Sequence, residues 1–182
     1  MRIIDLTRLH VPAAARLLVD SFAEHWPDRW PTFESALAGV EESLGDGRII
    51  RAALDERGEL VGWIGGIPRY RGRVWELHPL AVRADYRGRG LGRALVRDLE
   101  EEAAARGGLT LWVATDDDSG LGNGNAELYP EPAQALARAH LLRGHPYDFY
   151  RRLGFTPVGV VPDANGTGRP DLLMAKSIQL EV

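Results

Sequence analysis

VWELHPLAV, residues 74–82, runs into RADYRGRGLGR, residues 83–93, and joins a strand to the longest helical pattern in the chain. From Leu91 to about Arg106 the apolar residues Leu91, Leu95, Leu99 and Ala103 recur every four positions, and Gly107-Gly108 closes the helix. The junction carries glycine at 88, 90 and 92, which lets the backbone approach a ligand with no side chain in the way. The free N–H groups of a first helical turn, at the positive end of the helix dipole, favour a phosphate or pyrophosphate there. Arg87, Arg89 and Arg93 add positive charge at the same end. Two nucleotide-binding patterns fail on spacing. A dinucleotide fingerprint needs glycine where Arg93 stands, and a P-loop needs a lysine, whereas Lys176 is the only one in the chain.

Outward from this junction the chain alternates clearly. Arg2 to Leu6 reads as a strand, Val11 to Phe22 and Phe33 to Leu44 as helices, and HWPDRWPT (25–32) as an irregular link. Ile49 to Leu54 and Glu59 to Ile67 form a hairpin about Asp55-Glu56-Arg57-Gly58, and Tyr70 to Gly72 turns the chain into the strand Val74–Val82. Leu109 to Ala114 is almost wholly apolar, the pattern of a strand buried on both faces. Ala133 to Leu142 looks helical, Pro146 opens a short helix ending at Gly154, and Val158–Val161 and Leu172–Ser177 are the last strands. An antiparallel meander followed by strand–helix–strand crossovers predicts an α/β (α+β) fold, a mixed, mostly antiparallel sheet with helices on both faces.

Composition bounds the function. The 182 residues suit one domain spanning 1–182, and hydrophobic residues at 45 % with charged residues at 26 % predict a packed core. The absence of cysteine excludes a disulfide scaffold, a thiolate zinc site and a cysteine nucleophile. The five histidines show no metal-ligand spacing, and His140 with His145 is a poor pair, so no metal is expected. A formal net charge of −4 argues against a nucleic-acid partner, and no apolar run or leader suggests a membrane, so a cytoplasmic protein is expected.

The pattern R-x-x-G-x-G at Arg87–Gly92 resembles the acetyl-CoA loop of the GNAT N-acetyltransferase superfamily, and the element order is similar to that superfamily as well. Longer strings look like one branch, the short aminoglycoside 6′-N-acetyltransferases. They are Trp26-Pro27, Trp75-Glu76-Leu77-His78-Pro79-Leu80, Arg106-Gly107-Gly108, Thr115-Asp116-Asp117, His145-Pro146-Tyr147-Asp148-Phe149-Tyr150, Leu153-Gly154-Phe155, Asn165-Gly166 and Met174-Ala175-Lys176. The match is weakest from Ser119 to Arg143. The resemblance implies a GNAT fold with a splayed strand pair, acetyl-CoA as co-substrate, and a homodimer. It also implies transfer of the acetyl group by direct attack to the 6′-amino group of an aminoglycoside antibiotic, conferring resistance. A protein N-terminus or a small polyamine is the alternative acceptor, and a non-catalytic acyl-CoA-binding module is a third reading.

The resemblance places the diphosphate on Arg87, Gly88, Arg89, Gly90, Leu91, Gly92 and Arg93, and the pantetheine arm along the strand before them. Pro79 cannot donate to a ladder, so the ladder is interrupted there and the Leu80 and Val82 N–H groups become available to the arm. The Leu80 N–H maps onto the donor aimed at the thioester carbonyl, a role worth about 2.7–4 kcal/mol elsewhere. Freeing an alkylammonium at pH 7 costs roughly 4.6 kcal/mol, so a base is needed. Glu76 is assigned to orient the amine and accept its proton, directly or through water. Simple alternation puts Glu76, His78 and Leu80 on one face, unless Pro79 adds a bulge. His78 competes as the base, or is a histidine hydrogen-bonded within the strand layer. Tyr150 is the candidate partner of the departing sulfur. It shares a helix face with Tyr147, while Phe149 and Leu153 face elsewhere as core. Substrate contacts are assigned to Trp26, Glu76, Asp116 and Asp117. The last two open an acidic stretch that continues through Asp118, Glu127 and Glu131 with no lysine or arginine from Gly107 to Ala137, suited to a cationic amine. Turn-capping aspartates are the competing reading.

Overall fold

A computed structural model of the chain describes residues 1–23, 26–116, 146–167 and 169–179. The residues fall into two compact units, 1–109 with 178–182, and 110–177. The expected helix at 133–142 lies outside the described residues.

The first unit is an antiparallel meander of β1 (Arg2–Asp5), β2 (Ile49–Leu54), β3 (Leu60–Arg69) and β4 (Val74–Val82), each paired with the next. One core joins β2 and β3 to α1 (Val11–Phe22) and α2 (Phe33–Ser43). Trp63 is its largest side chain, fully buried, and its indole N–H is satisfied by the Ala14 carbonyl at 3.2 Å. Thr32 caps α2 by accepting from the Ser35 N–H at 3.1 Å, which ends the irregular Trp/Pro segment. α3 (Leu91–Ala105) buries the predicted stripe Leu91, Leu95, Leu99 and Ala103 with Val96. Each buried leucine or valine contributes about 1.5–3 kcal/mol relative to exposure. A side chain at Gly62 would meet Leu91 and Leu95, so this glycine lets α3 lie close to β3. Arg51 on β2 ties the layers together, bonding Asp98 of α3 at 2.6 Å and also Asp5 of β1.

The feature that positions the site is a bulge in β4. Gly66 pairs with Leu77 and Ile64 with Leu80, so three steps on β4 face two on β3. The His78–Pro79 peptide at this point is cis. The His78 carbonyl presses onto Gly65, where an added Cβ would lie 2.3 Å from it. The bulge corrects the alternation expected from sequence. Glu76, opposite Ile67, lies on the sheet face of Trp63 and Ala81, whereas Leu80, opposite Ile64, lies on the other face.

The second unit holds β5 (Thr110–Asp116), α4 (Pro146–Arg152), β6 (Thr156–Val161) and β7 (Asp171–Ser177), with β7 antiparallel to both β5 and β6. The expectation of a strand buried on both faces is overturned for β5. Leu111, Val113 and Thr115 are buried while Ala114 and Leu109 are exposed, the half-buried alternation natural to an antiparallel ladder.

Candidate active site

Gly88 and Gly90 both take positive φ, 72° and 86°, which an L side chain rarely adopts, and both lie exposed with open space where a Cβ would stand. Gly90 is the residue before α3, and the first intrahelical bond runs from the Ala94 N–H to the Gly90 carbonyl. The N–H groups of Leu91, Gly92 and Arg93 therefore have no acceptor within the helix. No acidic residue sits in this turn. A diphosphate fits such a surface of bare amides and cationic side chains.

The loop is braced from behind. The Arg87 guanidinium is engaged with the chain, donating to the Val82 carbonyl at 3.0 Å and to Ser21 O at 3.5 Å, so it holds the loop's shape. Tyr86 lies under Arg83 and Arg89, 4.6 and 5.8 Å from its ring centre, and its hydroxyl donates to Asp55 Oδ2 at 3.2 Å. Asp55 is fixed in turn by the Glu59 and Arg57 N–H groups, which hold its carboxyl below the usual range. The hairpin turn at 55–58 thus supports the loop, and the sequence pattern showed neither contact.

Along β4, the Arg83 N–H donates to Val61 O on β3 at 2.9 Å. N–H groups alternate sides along a strand, so those of Leu80 and Val82 point away from β3. That is the disposition needed to pair with an extended arm laid along the strand.

Glu76 is half-buried and bound by Arg69, whose Nε and Nη2 both reach Oε2, at 2.8 and 2.7 Å. Sequence reading missed Arg69. The hairpin makes it a diagonal neighbour of Glu76, since Ile67 pairs with Glu76 and Arg69 with Val74. The signal existed, but only for a known register. His78 lies in a small cavity of about 80 Å³, with Trp30, Glu42, Arg48, Trp63 and Ile67 among its lining residues. Although His78 retains an exposed side, loss of water in this cavity lowers its pKa, and the cations Arg29 and Arg48 act in the same direction against Glu76 and Glu42. Trp30 lies close against α2 because residue 39 is glycine; a Cβ there would come within 2.3 Å of its ring. Trp26 packs on Phe22 with ring centres 5.8 Å apart and is half-buried.

In the second unit Tyr147 and Tyr150 are the buried pair, and Phe149 and Leu153 are the half-buried residues. This reverses the expected division, because the shared face of the two tyrosines is the inward one. Tyr150 stands edge-on to Phe149 and Phe155, at 5.1 and 5.5 Å, and burial pushes its hydroxyl pKa well above the ordinary phenol value. Asp116 ends β5 opposite Asp171. Asp117, Asp118, Glu127 and Glu131 lie outside the described residues.

Residues 11–122, more than half of the chain, match the model of the Acetyltransferase (GNAT) family. The chain belongs to the GNAT acetyltransferases. An aminoglycoside 6′-N-acetyltransferase crystallised with coenzyme A is 38 % identical, with a TM-score of 0.82 over 100 % of this chain and 99 % of that one. The aminoglycoside 6′-N-acetyltransferase from Enterococcus faecium is 38 % identical with a TM-score of 0.81 at the same coverage. Among curated proteins, an acetyltransferase of Pectobacterium atrosepticum is 34 % identical over 86 residues, which are 46 % of this chain and 59 % of that protein. One of Sodalis glossinidius is 36 % identical over 83 residues, 44 % and 56 % respectively, so the matches span little more than half of these two relatives. The GNAT fold follows from the family match and the whole-length structural match. Among the described residues no helix is long and apolar enough to cross a membrane.

Proposed function

We propose that this acetyltransferase transfers the acetyl group of acetyl-CoA to the 6′-amino group of aminoglycosides. The observation that carries the reading is the end-to-end similarity, at 38 % identity, to enzymes of that activity. The described residues agree with the chemistry. The amides of residues 91–93 with Gly88 and Gly90 hold the diphosphate, and the outward N–H groups of Leu80 and Val82 hold the arm. Acetyl-CoA, when bound, supplies a thioester carbonyl to the amine. The Leu80 N–H stabilises negative charge on that oxygen, a contribution of about 2.7–4 kcal/mol in comparable donors. Glu76 orients the amine and takes its proton, directly or through water. A new C–N bond forms, the C–S bond breaks, and the sulfur leaves with the electron pair as a thiolate, which solvent protonates as Glu76 releases the amine proton to water. Tyr150 is assigned the hydrogen bond to that sulfur, and its raised pKa suits a donor that keeps its proton. His78, biased towards the neutral form, supports the amine side of the site. Trp26, Asp116 and Asp117 are assigned to the cationic acceptor, and two copies of the chain to a homodimer.

The test is coenzyme A release with kanamycin-like aminoglycosides, spermidine and N-terminal peptides as acceptors, with NMR assignment of the acetylated nitrogen. Turnover of aminoglycosides at the 6′ position is expected. Turnover of peptides or polyamines alone, or acetylation at another nitrogen, overturns it.

A further inference from the structure

Arg69 spends both of its contacts on one oxygen of Glu76, and Oε1 has no hydrogen bond to any described residue. We propose that Arg69 is a positioning residue for the base, holding Glu76 by Oε2 so that Oε1 is presented to the acceptor amine, while its charge favours the neutral amine over the ammonium. The inference deepens the proposed function and rests on Glu76 being the base.

The physical need is specific. A carboxylate attracts a cationic acceptor but also stabilises its ammonium form, opposing the deprotonation that attack requires. A fixed positive charge beside that carboxylate offsets this, since like charge disfavours a second cation close by. The placement is a property of the hairpin. Residues 67 and 69 share a face with 74 and 76, and the extended backbone of Arg69 leads into a tight turn at Tyr70–Gly72. In that turn Tyr70 and Arg71 take positive φ, 49° and 61°, before Gly72 at 80°. Non-glycine residues in this region store strain of about 1–3 kcal/mol each. The turn is held by the Trp75 indole N–H on Gly72 O at 2.9 Å. The Arg69 side chain is 49 % exposed and that of Glu76 17 %, so the pair is reachable from solvent and not sealed in the core. Glu76 also acts on His78 of the same strand, as do Glu42, Arg29 and Arg48 from α2 and its flanks. Among the described residues Arg69 is the one hydrogen-bonded to Glu76.

The test compares the full chain with Arg69→Gln, Arg69→Lys and Glu76→Gln in steady-state kinetics from about pH 5.5 to 9, using whichever of the aminoglycoside, spermidine or peptide acceptors is turned over. Arg69→Gln is expected to lower kcat about tenfold, to lower KM for the cationic acceptor, and to leave KM for acetyl-CoA within about twofold. It should also move the acidic limb of kcat/KM upward by about half a unit, and Arg69→Lys should return the limb while restoring kcat only in part. A site merely loosened by Arg69→Gln would instead raise the acceptor KM with no movement of the limb, which overturns the inference, as does unchanged kcat. Glu76→Gln separates the two failures. If it retains parental kcat, the assignment of the base fails and Arg69 falls with it. If it loses activity while Arg69→Gln does not, only the role of Arg69 fails.

Discussion

A phenol enclosed by aromatic edges holds its proton into alkaline solution, and Tyr150, between Phe149 and Phe155, is such a group. Its assignment as hydrogen-bond donor to the sulfur predicts that Tyr150→Phe lowers kcat about tenfold to 150-fold, the value of one hydrogen bond to a charged partner. The same substitution should leave any alkaline limb below pH 10 in place, because the phenol is still protonated there; a limb abolished by Tyr150→Phe in rate–pH profiles would contradict this. Stability has the matching sign. Above the ordinary phenol pKa near 10 the unfolded chain releases a proton that the folded chain keeps, so stability falls with rising pH. Tyr150→Phe should remove part of that fall in denaturant titrations. His78 behaves in the opposite sense. Its pKa is lowered in the folded protein by loss of water, so the unfolded chain binds more protons just below pH 6.5, and stability drops as pH falls through that region. His78→Gln should lose less stability than the parent between about pH 7 and 5 in thermal unfolding, and an identical pH dependence would show that the ring is not held neutral.

β4 does its work as an element because of its bulge. A regular strand would have kept Glu76 and Leu80 on one face, whereas the extra residue turns Leu80 to the α3 side and leaves Glu76 beside the His78 cavity. Gly65 is what allows the His78 carbonyl so close. Gly65→Ala is predicted to destabilise the protein by about 1–3 kcal/mol, as in other overpacked sites. It should also lower kcat more than it raises KM for acetyl-CoA, because the Leu80 N–H moves relative to Glu76 while the glycine loop at 88–92 is untouched. Unfolding midpoints with kinetics on the same preparation check both. Parental stability would mean that β3 and β4 can part without cost at this pair.

The whole chain leaves its first unit at Leu109 and returns at Ile178, where the Ile178 N–H donates to the Leu109 carbonyl at 3.0 Å. Its charge is mildly acidic, −4 overall, despite the arginines gathered around the glycine-rich turn at 87–93. A multiply cationic acceptor drawn to carboxylates should therefore bind less well as salt rises. Its KM is expected to increase several-fold between about 0.05 and 0.5 M ionic strength, where screening shortens from well over 10 Å to a few ångströms. A monoamine acceptor should show a much smaller change. Equal salt responses for the two would remove long-range attraction from the account of binding.

The glycine-rich turn before α3, the stripe of α3, the meander and the family were legible in the residues, because glycine spacing, apolar periodicity and local turn chemistry are short-range signals. The 88–92 turn was named from glycine spacing, whereas the roles given to Glu76 and Leu80 came from the resemblance to the family. The face that Glu76 occupies, the arginine that holds it and the burial of Tyr150 were not legible. Alternation along β4 predicts one arrangement, and a single inserted residue, given room by the missing side chain of Gly65 on another strand, imposes the other. Arg69 meets Glu76 through strand register, and the Tyr147/Tyr150 face turns inward through packing against neighbours such as Phe155. Periodicity shows that a segment has two faces; which of them is buried depends on what the rest of the chain sets against it.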